Sequence, residues 1–337
     1  MDRVPYPTIQ QWKSHLDLHS TPFLSSLPKL ELHLHLEGTL TPSLRFALAA
    51  RNAIPLVSTR LNKTFTTLPD LQEAYQLLEP SSVKGPGLSA FFEAYMGGME
   101  CLIREEDFYE LAWAYYVRAK EMNVRYCEVV FDIQAHTRRG IAVETVMSGL
   151  RRAQIDARAK LKVKAQYILC ILRDLSLESA MQHYENTALP YKHMIAGIGL
   201  DSNEFAHPPS IFGPLYARAK SDGFKTTAHS DVAQPDALVH LKQILTPPLE
   251  LDRIDHGLDA AGSDELMALI QSKDHGFGLT ICPWAYVRHC TEGRLFGSIR
   301  RFVNAGVKIC IGSDSPAYVE SNWVVDHLAL LPVEGRL

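Results

Sequence analysis

The segment LELHLHLEG, residues 30–38, alternates apolar and polar side chains and stops at a glycine. Its period of two is that of a strand, so His33 and His35 share one face. Seven further runs rich in β-branched and apolar residues follow, each ending in polar residues. They are VRYCEVVFD (124–132), KAQYILCILRD (164–174), IAGIGLDSNE (195–204), FKTTAHSD (224–231), DRIDHG (252–257), GFGLTICP (276–283) and VKICIGSDSP (307–316). From the second onward they begin 24 to 40 residues apart. The intervening stretches carry apolar stripes of helical spacing, over Ala142–Leu161, Ser176–Leu189, Ile211–Ser221, Asp236–Leu245, Asp264–Ser272 and Gly297–Ala305. Apolar strands alternating with helices imply a parallel sheet covered on its outer side. Eight such units predict an α/β fold of the (β/α)8 TIM-barrel class. An open doubly wound sheet would instead gather ligand-type residues at one switch point, whereas here they end the first, fifth, sixth and eighth runs.

Two irregularities stand out. About 85 residues separate the first and second runs, too many for a simple crossover. They predict extra helices between strands 1 and 2, including Ala90–Arg104 and Glu106–Met122, forming a lid over the barrel mouth. After the eighth run only Val319–Leu337 remains, enough for one short helix. The expected organisation is a lead-in over residues 1–26 and a single barrel over 27–337, short at its C-terminal end.

The 337 residues include 46% hydrophobic and 21% charged side chains, an ordinary globular mixture. A net charge of -4 leaves no basic excess for nucleic-acid phosphates. No apolar run is long enough for a membrane span. The start, MDRVPYPTIQQWKSH, lacks the basic and apolar sequence of a secretory signal. Six cysteines without CxxC spacing, set mostly in apolar runs, point to reduced, buried thiols and a cytoplasmic protein, with the nucleus as the secondary expectation.

In such a barrel the chemistry sits at the C-terminal ends of the strands. Those ends carry His33 and His35, then His229 and Asp231, then Asp255 and His256, then Asp314. Two imidazoles side by side inside a barrel are costly unless something binds them, and a divalent metal does so. Three histidines and one aspartate suit the borderline character of zinc. The fourth run has no lysine to bridge a second metal, so one ion is expected. That leaves His256 as a base or a group that orients the attacking water, and hydrogen bonding to Asp314 is an alternative compatible with that role.

The motifs LPKLELHLHLEGTLTPSL, FDIQAHTRRG, GIGLDSNE, TAHSD, RIDHG, LTICP and GSDSPAY occur in fixed order from about Leu27 to Tyr318. In these the chain resembles the adenosine/adenine deaminase branch of the metal-dependent amidohydrolases. DIQAHTRRG, LRDLSLESA and SDSPAY are closest to the adenine deaminase subgroup. The resemblance implies a single Zn2+ held by His33, His35, His229 and Asp314. It further implies hydrolytic loss of the 6-amino group of a small purine, with His256 activating water and a carboxylic acid protonating the ring.

The chain departs from that pattern at three places. The family's fifth-strand motif, His-Ala-Gly-Glu, supplies the proton-donating Glu, but here Val232 stands in its place. Asp231, two residues from His229, is the replacement acid the strand period offers. Ser315 stands where the family usually has a second aspartate touching the purine, so the ring taken could be adenine or an N6-substituted adenine. In CPWAYVRH, Trp284 and Tyr286 replace the usual Ser-Asn pair and are candidates to stack on a base or to pack the rim. Asp201 and Glu204 match the family's GLDSxE pattern, whose loop lies against the substrate base, so Glu204 is a further candidate contact to the base. Arg138 and Arg139 are expected to be structural. Competing expectations are a same-fold enzyme shifted to another amine or amide bond, and a zinc-binding, catalytically silent paralogue.

Overall fold

The computed structural model describes residues 3–19, 22–59, 61–76, 90–273, 276–319 and 322–331. Each of the eight sequence runs forms a strand. They are β1 (Lys29–Glu31), β2 (Val124–Phe131), β3 (Lys164–Leu172), β4 (Ile195–Asp201), β5 (Lys225–Ser230), β6 (Arg253–His256), β7 (Gly278–Ile281) and β8 (Ile309–Ile311). All seven ladders between neighbours are parallel and follow sequence order. Inside the barrel Val130, Ile168 and Cys170 form a small cluster. The larger core lies between sheet and helices, the two-sided burial that continuous apolar strands require.

The seam between β8 and β1 is different. β1 has ladder pairing only to β2, over Lys29–Glu31 and with a register shift between Lys29 and Leu30. Isolated bridges then join Leu34 to Asp314 and His35 to Val130. The His35 N–H donates to the Asp314 carbonyl (2.8 Å) and the Asp314 N–H to the His33 carbonyl (3.2 Å). A side chain replaces the missing ladder. The fully buried Glu31 carboxylate accepts from the Ser313 N–H (3.1 Å), the Ser313 hydroxyl and the Tyr115 hydroxyl (2.8 Å). Gly312 permits this close approach, because a β-carbon there would lie 2.5 Å from the His33 carbonyl oxygen and 2.9 Å from His33 Cβ. Gly312→Ala is expected to cost about 1–3 kcal/mol, read as a lower urea midpoint. An unchanged midpoint would mean that the seam has slack.

The extra helices between β1 and β2 are Pro42–Asn52, Leu68–Gln76, Ala90–Met99 and Glu105–Glu121. The third stops short of the expected Arg104. The Asp107 carboxylate captures the N–H groups of Ile103 (2.9 Å) and Arg104 (2.7 Å) and starts the next helix instead. The helix expected at Gly297–Ala305 begins earlier, at Glu292, because the Thr291 hydroxyl caps it through the Arg294 N–H. The stripe Ala142–Leu161 is helical over Val143–Asp156 and finishes in a π turn at Ala157–Leu161. The C-terminal tail contributes the short helix Val324–Leu330, and residues 332–337 of that expected tail lie outside the described residues. The lead-in forms the helix Tyr6–His19, whose Trp12 packs edge-on against Trp284 and Phe296. All six cysteines are free, five of them buried. Among the described residues no helix is long and apolar enough to cross a membrane.

Candidate active site

The C-terminal ends of the strands bring four imidazoles together. The His33 ring centroid lies 5.5 Å from that of His35, 4.8 Å from His229 and 4.5 Å from His256. His256 and Asp314 adopt left-handed backbone conformations, φ +66° and +62°. Such strain in non-glycine residues costs about 1–3 kcal/mol each and persists where the surroundings enforce it.

Hydrogen bonding fixes two of the tautomers. His229 Nδ1 lies 3.1 Å from the Leu200 carbonyl oxygen, which can only accept, so Nδ1 carries the proton and Nε2 is a bare lone pair. Thr280 donates its hydroxyl proton to Asp255 Oδ1 (2.9 Å). It must therefore accept from His33 Nδ1, 2.7 Å away, and His33 Nε2 is likewise bare. That atom is buried and has no hydrogen-bond partner in the chain. His35 Nε2 stands 3.0 Å from His229 Nε2. Asp314 Oδ1 closes the group, 3.6 Å from His35 Nε2 and 3.9 Å from His33 Nε2. Burial, with the neighbouring imidazoles adding, pushes the pKa of His33 and His229 well down, and burial lowers that of His35. These imidazoles are neutral near pH 7, the state a metal ligand needs. An orphaned buried lone pair, two convergent neutral imidazoles and a carboxylate fit a divalent cation. Asp255 sits behind this group, bonded to Thr227 (2.7 Å), Thr280 and Arg253 (3.0 Å), and orients His33 through Thr280.

His256 is contacted at both ring nitrogens. Its Nδ1 lies 2.8 Å from the Tyr286 hydroxyl, which also accepts the Cys282 N–H (2.9 Å). Its Nε2 faces Asp231 Oδ1 at 3.3 Å. Tyr286 and Asp231 are thus the hydrogen-bonding and charged neighbours of the His256 ring. Trp284 is buried against the lead-in helix and donates its indole N–H to the Asp326 carbonyl (3.1 Å), a packing role.

Asp231 lines the same cavity as His35, His229, His256, Asp314 and Ser315. Its side chain is one-third exposed, yet the surrounding protein and the nearby carboxylates of Glu204 and Asp314 push its pKa well up. The neighbouring Val232 is turned into the hydrophobic core. Glu204 does not line the cavity. Its buried carboxylate accepts the Asp231 N–H (2.6 Å) and pairs with Arg173 (3.4 Å) and His240 (3.3 Å), which places it behind the Asp231 backbone. Arg139 is structural, bonded to the Ala135 and Leu102 carbonyls (both 3.1 Å).

The far wall holds two further carboxyl groups, one of them Asp201 of the GLDSNE motif. Asp132 directly follows β2 and Asp201 ends β4, and both line the cavity with Ser202 and Tyr95. Tyr95, from the lid helix Ala90–Met99, donates to Asp132 Oδ2 (2.9 Å). Burial pushes the pKa of both aspartates up, each raised further by a neighbouring carboxylate. Asp132 terminates the run VRYCEVVFD, the one sequence signal that points to it.

A sequence profile described as "Adenosine deaminase" matches residues 28–330. An uncharacterized deaminase of Schizosaccharomyces pombe is 38% identical over 308 residues, 91% of this chain and 85% of that protein. The crystal structure of an adenine deaminase from Arthrobacter aurescens is similar with a TM-score of 0.78 and 33% identity, over 91% of this chain and 87% of that one. An amidohydrolase from Burkhoderia ambifaria, solved with bound Zn, is similar with a TM-score of 0.75 and 25% identity, over 90% and 79% of the two chains.

Proposed function

The chain belongs to the adenosine deaminase family, hydrolases that act on C–N bonds, and from that premise we propose that it is a zinc enzyme removing the 6-amino or 6-alkylamino group of a purine. What carries this reading is the convergence of the bare His33 and His229 nitrogens with His35 and Asp314 beside a cavity that also holds His256 and Asp231. His33, His35, His229 and Asp314 would hold the ion. A zinc ion there supplies Lewis acidity, which makes water a usable nucleophile near neutral pH.

The chain's own residues do the rest. His256, braced by Tyr286, takes a proton from the attacking water. Asp231 delivers a proton to ring N1, so that charge does not build up as the water oxygen bonds to C6. The C6–N6 bond then breaks, the leaving nitrogen takes up a proton, and ammonia or an amine departs. One water is consumed and nothing is oxidised or reduced. Asp231 supplies from the strand end the acid that Val232 cannot.

Zinc-loaded protein is expected to release ammonia from adenine or an amine from an N6-alkyladenine. One bound zinc with no release from these, adenosine or AMP would overturn the assignment in favour of a silent zinc protein. Tyr286→Phe removes the hydroxyl that holds His256 Nδ1. It is expected to lower kcat about 10-fold, the worth of one hydrogen bond, with KM little changed. An unchanged kcat would leave Tyr286 a packing residue only.

A further inference from the structure

The lid helix Ala90–Met99 faces two cavities. Phe91, Phe92 and Tyr95 line the active site, while Glu93, Ala94 and Gly97 line a second hollow. The other walls of that hollow come from the helices Pro42–Asn52 and Leu68–Gln76, the strand pair Val57–Ser58 and Lys63–Thr64, and the turn after Ile133–Thr137. It offers about 390 Å³ to the centres of water molecules, against about 70 Å³ in the active site. The proposed reaction has no use for it.

Three guanidinium groups line the hollow, those of Arg45, Arg138 and Arg139. Arg45 is 5% exposed. Its Nη2 donates to the Gly97 carbonyl (3.0 Å), its Nε is buried without a hydrogen-bond partner, and the Tyr75 ring lies 5.9 Å away. Arg173, the other buried arginine among the described residues, is by contrast paired with Glu204 (3.4 Å). The exposed Arg138 places Nη2 3.3 Å from Met96 Sδ. Arg139 donates to the Ala135 and Leu102 carbonyls and to His136 Nδ1 (2.8 Å). Among the described residues none of the three forms an ion pair with a carboxylate. A buried guanidinium without counter-charge destabilises a fold, and an anion beside it relieves that cost.

The lining defines the ligand. Glu93 and Glu100 also face the hollow, so three cationic groups against two anionic ones leave a net charge of +1, suited to a monoanion. A carboxylate matches the guanidinium fork with two parallel hydrogen bonds. Val57, Leu61, Phe65 and Leu71 supply apolar walls, which favour an apolar body behind the carboxylate. We propose that this cavity is a binding site for a small organic monocarboxylate with an apolar body, its carboxylate held between Arg45 and Arg138, which touch the adjacent residues Gly97 and Met96. The site does not depend on the deaminase assignment.

Calorimetry on the zinc-loaded full chain, in a buffer free of carboxylates, would compare benzoate with benzamide, acetate and inorganic phosphate. Benzoate is expected to bind once per chain. Benzamide keeps the ring and loses the charge, and should bind at least about 10-fold more weakly. Acetate keeps the charge and loses the ring, and phosphate lacks the ring as well. Both should also be at least about 10-fold weaker. Arg45→Met replaces the guanidinium by an apolar side chain, an exchange that interiors tolerate, and should lower benzoate affinity at least about 10-fold. Arg138→Glu, at an exposed position, reverses the net charge of the lining and should lower it at least about 5-fold, a result that does not depend on the folding of Arg45→Met. No benzoate binding, or equal affinity for benzoate and any one of the other probes, overturns the proposal. So does a benzoate affinity unchanged by either substitution, the outcome expected if the anion sits on the zinc ion instead.

Discussion

His33→Ala is expected to abolish metal retention and turnover together. His33 is fully buried, and its tautomer is fixed by the relay from Asp255 through Thr280, so its Nε2 can only accept. No other side chain replaces that lone pair. Losing one of four donors should weaken metal binding by orders of magnitude, and loss of the metal should lower kcat by about 10⁴-fold or more. The substitution also empties space in a close-packed site, at about 1–3 kcal/mol, so a melting curve must accompany the assay. Thr280→Val separates the effects, because it keeps the imidazole and frees its tautomer. It should weaken metal binding about 10- to 100-fold in a folded protein. Full turnover by metal-free His33→Ala would end the metal hypothesis.

The second large effect is at Asp231. A positioned acid contributes about 10²–10⁴-fold, and Asp231→Asn should lose that factor in kcat with KM nearly unchanged. Asparagine keeps the shape and removes the proton, and the Glu204 contact to the residue 231 backbone N–H survives. Near-wild-type turnover would exclude the acid role. Restoring the family's glutamate by Val232→Glu should not rescue the variant. Val232 is 4% exposed and packed in the core, so a carboxylate there would be buried away from the cavity and destabilise the fold. Rescue would show that the loop after β5 can turn over, and would return the acid to its usual place.

The strands were legible because a parallel barrel buries both faces of each one, leaving continuous apolar runs that end where the chemistry begins. Helix boundaries were less so, since they depend on single caps such as Asp107 and Thr291. The alternation of His229 and Asp231 could be read from a period of two, and the structure lines both on one cavity. Glu204 could not be placed that way. It lies beyond the end of β4, where no period applies, and it serves the Asp231 backbone rather than the cavity. Tyr286 reads in the sequence as an aromatic, but its bond to His256 joins the ends of two strands and has no signature in spacing. Asp132 looks like an ordinary strand-end carboxylate until the fold turns it toward the same hollow as Asp201.

The splice between first and last strands has a consequence for the whole molecule. Few backbone bonds cross it, and Glu31 stands in for the others. Two of the candidate ligands, His33 and His35, follow β1, while Asp314 follows β8. An ion gripped by both would act as a rivet through the joint. A ligand present at a thousandfold above its Kd adds about 4 kcal/mol to a fold, and here that increment would fall where the ring is weakest. Stripping the ion should therefore loosen the staves as well as silence the enzyme, with amide exchange at His35 and Asp314 rising first.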